Sequence, residues 1–252
     1  MGEVRFLSKW FPLLLALLLA AGGEATGSRA ANAADYYNSG LAYARKGQFD
    51  PAIANFNKAI EINQRHFEAY TDRGNAYDEK GEFDQAISDF NKALGINPRY
   101  AEAYMNRGVA YLRKDQHDRA IADFTKALEI NPRYVLGYYR RGVAYASHGQ
   151  FDLAVADFTK YLELNPKDAR AYNRRGHAYA DKKHYDQAIA DFSKGLEINP
   201  KDAEAYYDRA VAYYQKTNFE KAWNDVYKAQ GLGFKIDHGF LNDLRKESGR
   251  EK

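Results

Sequence analysis

From Ala33 to Ile236 the apolar and polar positions of the chain recur every 34 residues, six times over. Counted within each copy, position 4 is always tyrosine (Tyr36, Tyr70, Tyr104, Tyr138, Tyr172, Tyr206), and so is position 11 (Tyr43, Tyr77, Tyr111, Tyr145, Tyr179, Tyr213). Position 8 is glycine in five copies and Ala210 in the sixth. Steps of four and three place these residues on one face of a helix. Glycine inside a helix costs about 1 kcal/mol against alanine, so close approach of another helix is expected at position 8. That helix follows at once. Position 20 is always alanine, and position 24 is phenylalanine in five copies and Val226 in the last. The pattern predicts two helices per copy and an all-α chain.

The ends of the second helix are also marked. Position 18 is Asp50, Asp84, Asp118, Asp152, Asp186 or Glu220, which reads as an acidic N-cap, with Pro51 in the first helical slot. Gly47, Gly81 and Gly149 break the chain between the helices. Pro98, Pro132, Pro166 and Pro200 follow an asparagine and stop the second helix.

The unit resembles the tetratricopeptide repeat through Tyr at 4, Gly at 8, Tyr at 11, Ala at 20, Phe at 24, Ala at 27 and Pro at 32. The family more often has Trp at position 4. The likeness covers 204 of 252 residues, six copies of 34. It implies a right-handed superhelical solenoid of antiparallel helix pairs with a concave groove. The copies run 33–66, 67–100, 101–134, 135–168, 169–202 and 203–236, in one continuous stack between a leader at 1–33 and a tail at 237–252. Position 27 departs from alanine at Tyr161 and Gly195, a large group and a void that are expected to offset each other. After the last copy, Phe240–Arg245 is amphipathic and is expected to cover the open apolar end, as terminal units of solenoids must. From Glu247 on, the charged tail reads as disordered.

Residues 1–33 read as an export signal. Arg5 and Lys9 precede the apolar run Trp10–Ala21, which is shorter than the roughly 20 residues of a membrane span. Cleavage is expected after Ala33 or near Ala25; the other reading is an uncleaved anchor, the only membrane contact expected. The protein is then exported, and periplasmic or secreted if bacterial. A formal charge of +3, or +2 once residues 1–33 are removed, gives no sign of nucleic-acid binding. The absence of cysteine excludes disulfides, thiolate metal sites and a cysteine nucleophile.

One charged pair repeats. Position 7 is Arg73, Arg107, Arg141, Arg175 and Arg209, and position 23 is Asp89, Asp123, Asp157, Asp191 and Asp225. The first copy lacks both, with Ser39 and Asn55. The joint loss predicts that Arg and Asp meet. Lys at position 26 is present in all six copies, so it does not follow the Asp. The pairs are read as structural, and the tyrosine rows as core packing.

The resemblance implies a groove lined by first-helix positions 2, 5, 6, 9, 12 and 13. Near repeats two and three this gives Asn75, Asn106 and Arg113; in repeat four, Tyr139 and Arg140; in repeat five, Arg170, Asn173, Arg174 and His177; in repeat six, Tyr207. The expected ligand is an extended peptide or protein segment. Co-chaperones of the family grip carboxylates with Lys, Asn, Asn, Lys and Arg. Here Asn75, Asn106 and Arg140 match that set, while Thr71 and Leu136 replace the lysines, and Asn106 with Arg140 is expected to hold a peptide carboxylate. No phosphate loop, serine elbow or paired-histidine metal motif occurs. No cofactor or catalysis is expected. The function read is a scaffold that binds a protein or peptide partner. The alternative is a homo-oligomeric subunit stacking through its terminal repeats.

Overall fold

In the computed structural model, the described residues are 32–250. The leader lies almost wholly outside them. All regular structure in the described residues is helical. The chain divides into two compact units that meet in sequence between Lys114 and Asp115, inside the third repeat. The first contains α1 (32–44), α2 (Phe49–Ile62), α3 (Phe67–Glu79), α4 (Phe83–Ile96) and α5 (Ala101–Arg113). The second contains α6 (His117–Ile130), α7 (Val135–Ser147), α8 (Phe151–Leu164), α9 (Ala169–Asp181), α10 (Tyr185–Ile198), α11 (Ala203–Gln215), α12 (Phe219–Gly231) and α13 (His238–Ser248). Within each unit, consecutive helices pack on one another. First helices also touch first helices, α3 with α5, α7 with α9 and α9 with α11, so first helices share one face of each unit.

The core explains the glycine at position 8. Phe56, Phe90, Phe158 and Phe192 are fully buried, each against the glycine of its own repeat. A Cβ at Gly40, Gly74, Gly142 or Gly176 would stand 2.6–2.9 Å from the ring, well inside contact distance. The sixth repeat makes both changes together: Ala210 faces the smaller Val226, and both are buried in the C-terminal core. The next repeat's Ala110, Ala178 or Ala212 closes over the ring.

The chain turns where asparagine and positive φ demand it. Each second helix from α2 to α10 ends at an extended Asn, and Asn63, Asn97, Asn131 and Asn199 each accept a hydrogen bond from the backbone N–H two residues on. Gln64 therefore replaces proline without changing the turn. Position 15 is left-handed in every repeat. Gly47, Gly81 and Gly149 adopt it freely, while Asp115, Lys183 and Thr217 adopt it at φ 54–61°, a conformation that disfavours side chains with a Cβ.

Two expectations at the second-helix start shift by two residues. The helices begin at position 17, so Asp50 and its equivalents lie in the first turn instead of at the N-cap, and Pro51 is the third helical residue. The first-turn carboxylate still suits the helix dipole, and it also takes a cation from the following repeat. Lys80 bonds Asp50 at 2.6 Å, Lys114 bonds Asp84, Lys182 bonds Asp152, Lys216 bonds Asp186, and His148 meets Asp118 at 3.2 Å.

The Arg–Asp pairing is present and does more than close one repeat. Arg73 donates to both Asp89 oxygens at 2.7 and 2.6 Å, and Arg141, Arg175 and Arg209 repeat this fork on Asp157, Asp191 and Asp225. The free Nη1 reaches back to position 25 of the preceding repeat, to Asn57, Thr125, Thr159 and Ser193. Arg107 makes the same backward bond to Asn91 at 2.5 Å. The first repeat follows no other repeat, which gives Ser39 and Asn55 a physical reason. Lys126, Lys160 and Lys194 at position 26 bond glutamates three residues on instead.

The tyrosine rows differ from the expectation. Most are only half-buried, and they flank the arginines: Arg107, Arg141 and Arg209 each lie over two rings, at 5.4–6.0 Å. Alanines at position 10 of repeats two to six and the phenylalanines at position 24 take the interior. At the C-terminus, α13 covers the last pair with Leu241 and Leu244. It runs past Glu247 to Ser248, whose hydroxyl accepts from the Trp223 indole at 3.1 Å, so this stretch is ordered helix up to left-handed Gly249.

Candidate functional site

In the first unit, the face shared by α1, α3 and α5 is held by its own hydrogen bonds. Tyr37 donates to Asp72 at 2.6 Å. Asn75 donates to the other Asp72 oxygen at 3.4 Å, and Asn106 donates to Asn75 at 2.9 Å. Arg113 donates to the Asp78 carbonyl at 3.0 Å, pairs with its carboxylate at 3.1 Å and lies over Phe83. Burial raises the Asp72 carboxyl above its ordinary range, opposed by the Tyr37 hydrogen bond. Burial also pushes the Tyr37 hydroxyl up, reinforced by Asp72. Asn75, Asn106 and Arg113 thus stand on the expected face with their polar atoms engaged.

The second unit carries a cavity of about 260 Å³ between α7, α9 and α11. It gathers Tyr139, Arg170, Asn173, Arg174 and His177. Arg170, Arg174 and His177 are spaced by four and three residues, one stripe along α9. The opposite wall is Asp202, Glu204 and Asp208. Asp202 caps α11 by accepting from the Ala205 N–H at 3.1 Å, and its other oxygen accepts from Asn173 at 3.0 Å. The Asn173 Oδ1 is buried without a hydrogen-bond partner.

Asn173 explains Gly195. A Cβ at position 195 would fall 2.3 Å from Asn173 Oδ1. The space left by this glycine is taken by Asn173 of the same repeat, not by Tyr161 as an offsetting bulk. Tyr161 instead packs on Tyr139 at 5.2 Å and donates to Asp168 at 2.9 Å. Burial and that bond push its hydroxyl up to about 12. Asp168 in turn caps α9 through the Arg170 and Ala171 N–H groups.

The cations of the stripe differ in their ties. His177 Nε2 lies 3.1 Å from Asp208, and that hydrogen bond raises the imidazole above its ordinary value against the cost of burial. Arg170 is 83% exposed, 3.6 Å from Asp168. Arg174 is exposed, and no hydrogen bond or ion pair holds it among the described residues.

The remaining expected residues lie elsewhere. Arg140 is half-buried on α7 and does not line the cavity. It and Asn106 belong to different compact units. Tyr207 packs on Phe234 and Phe240 at 5.2 and 5.5 Å, where it joins the C-terminal cover. Of the acidic wall, Asp202 was the residue that groove positions alone miss, since Glu204 and Asp208 stand at positions 2 and 6 of the sixth repeat. Its signal was an aspartate directly before a predicted helix. Among the described residues no group of three or more His, Asp or Glu side chains is placed to hold a metal ion, and no helix is long and apolar enough to cross a membrane.

Comparison with known proteins agrees with this architecture. Family models of the tetratricopeptide repeat match residues 71–135, 135–168, 169–202 and 192–224, and a TPR-repeat model matches 40–81. No curated protein matches. Among solved structures the chain is similar to YrrB, described as a TPR protein with an unusual peptide-binding site. The TM-score is 0.67 at 29% identity over 76% of this chain and 97% of that one. It is similar to the MamA protein, with a TM-score of 0.62 at 31% identity over 69% and 94% of the two chains. A tetratricopeptide repeat protein from Parabacteroides merdae ATCC 43184 gives 0.59 at 25% identity over 87% and 85%.

Proposed function

The chain belongs to the tetratricopeptide-repeat family of protein-interaction scaffolds, and from that premise we propose that it binds a peptide or protein segment on its first-helix face, at the α7–α9–α11 cavity. One observation carries the reading. The arginines at position 7 are all committed to neighbouring side chains, whereas Arg174 is held by none and Arg170 only loosely. A guanidinium is a five-donor fork suited to carboxylates and peptide carbonyls. Two of them at the mouth of a concave site, beside an aromatic ring, form the kind of anchor on which interfaces depend. The similarity to YrrB, itself described as having a peptide-binding site, supports the same use of the fold.

The protein acts without catalysis of its own and, by its leader, after export. End-to-end stacking is disfavoured at the C-terminus, because α13 buries the apolar surface that a second copy would need. The test is affinity capture with the wild-type chain and with Arg170→Glu plus Arg174→Glu. Partners lost from the double variant support the reading. Partners retained equally by both contradict it.

A further inference from the structure

His177 stands in the cavity as a titratable group among fixed charges. Arg174 precedes it on α9. Asp208 and Glu204 face it from α11, with Asp202 at that helix's N-cap. The Phe192 ring of α10 meets the imidazole edge-on at 5.2 Å, and Tyr139 closes the side toward α7. The lining carries two guanidiniums and three carboxylates. With a neutral imidazole the cavity holds one excess negative charge. With an imidazolium it is balanced. No other repeat has a titratable cation at position 9, where the chain has Leu41, Asn75, Val109, Val143 and Val211.

The position of Asp208 makes that proton matter. Its side chain is 16% exposed, less than the 43% of His177, so water screens it poorly. Paired with an imidazolium, it presents no net charge to an incoming anion. Beside a neutral imidazole, it repels one across the cavity from Arg174.

Resting on the groove reading above, we propose that the cavity takes an acidic peptide segment, and that binding is coupled to proton uptake at His177. The segment is held while the His177–Asp208 pair is charged on both sides and is released when the imidazole is neutral. Coupling is reciprocal: a bound carboxylate against Arg174 also holds the proton on His177. The hydrogen bond that His177 donates to Asp208 already raises the imidazole in the free protein, and histidine is the side chain whose ordinary charge change lies nearest neutral pH.

The test uses the full chain and a fluorescein-labelled hexaglutamate peptide with an amidated C-terminus, followed by anisotropy at fixed ionic strength. Wild type is expected to bind about five- to tenfold tighter at pH 5.5 than at pH 8.5, since one unit of pKa coupling corresponds to tenfold. His177→Gln is expected to bind equally at both, near the wild-type affinity at pH 8.5. An NMR titration of the His177 ring, with and without peptide, gives a second reading: the midpoint moves up when peptide is present. Equal wild-type affinities at the two pH values, or an unchanged pH dependence in His177→Gln, overturns the proton link. If Arg174→Ala still abolishes that binding, the groove reading stands. Absence of hexaglutamate binding at both pH values overturns the proposal as well, and the capture experiment then decides the groove reading separately.

Discussion

The same groove positions are used differently in the two compact units. In the first, Tyr37, Asp72, Asn75 and Asn106 bond one another in a chain, and Arg113 is tied to Asp78. In the second, Arg170 and Arg174 project with little holding them, around a cavity lined also by Tyr139, Asn173 and His177. Equivalent backbone therefore does not imply equivalent side-chain pairing. A polar side chain satisfied within the fold contributes to stability, and one left unsatisfied at a concave surface is available to a ligand.

The sharpest way to break this contrast is to set a ladder residue against a stripe residue. Asp157→Ala strands the half-buried Arg141 fork and should cost about 3 kcal/mol in urea unfolding while leaving ligand affinity intact. Arg174→Ala should change stability by less than about 0.5 kcal/mol and lose the ligand. Next in size, Gly176→Ala drives a methyl into Phe192 and should cost about 2 kcal/mol by the same measurement. Adding Phe192→Val, the pairing that repeat six uses, should cost less than the sum of the two single changes. Tyr37→Phe removes the donor to Asp72 and should cost about 1–2 kcal/mol with binding unchanged. Thr217→Gly should gain about 1 kcal/mol in thermal unfolding by relieving the left-handed β-branched residue.

The smallest effect is in pH. His177 is raised in the folded state. Its pairing therefore stabilises fully below the ordinary histidine value of about 6.5, and that contribution is lost as pH rises through the raised folded value. Discounted for partial exposure, it should amount to less than about 1 kcal/mol and vanish in His177→Gln. Asp72 is raised by burial, so its contribution also declines as pH rises from the ordinary carboxylate value through the folded one.

Much of the fold was legible because each repeat must hide the same apolar face, and a residue type confined to one position six times over has one packing reason. Gly at 8 against Phe at 24, and the Arg–Asp pairing with its absence at Ser39 and Asn55, were readable for that cause. The reach of each arginine into the preceding repeat was not. It crosses from one repeat to another, and position 25 varies among Asn, Thr and Ser. Tyrosine rows look like core in a sequence because spacing shows a face without showing depth. Five of the ten groove residues came together in one cavity because groove positions are set by backbone geometry. Which of them stay unpaired depends on side-chain contacts such as Tyr207 with Phe234, which no periodicity reveals.

The most direct test of unequal use is one binding isotherm taken three times. The full chain, Arg174→Ala and Arg113→Ala are titrated at pH 5.5 with the labelled hexaglutamate peptide, after circular dichroism shows that all three are equally helical. Wild type and Arg113→Ala should bind alike, and Arg174→Ala should lose binding. Equal binding by Arg174→Ala, or loss confined to Arg113→Ala, contradicts the account.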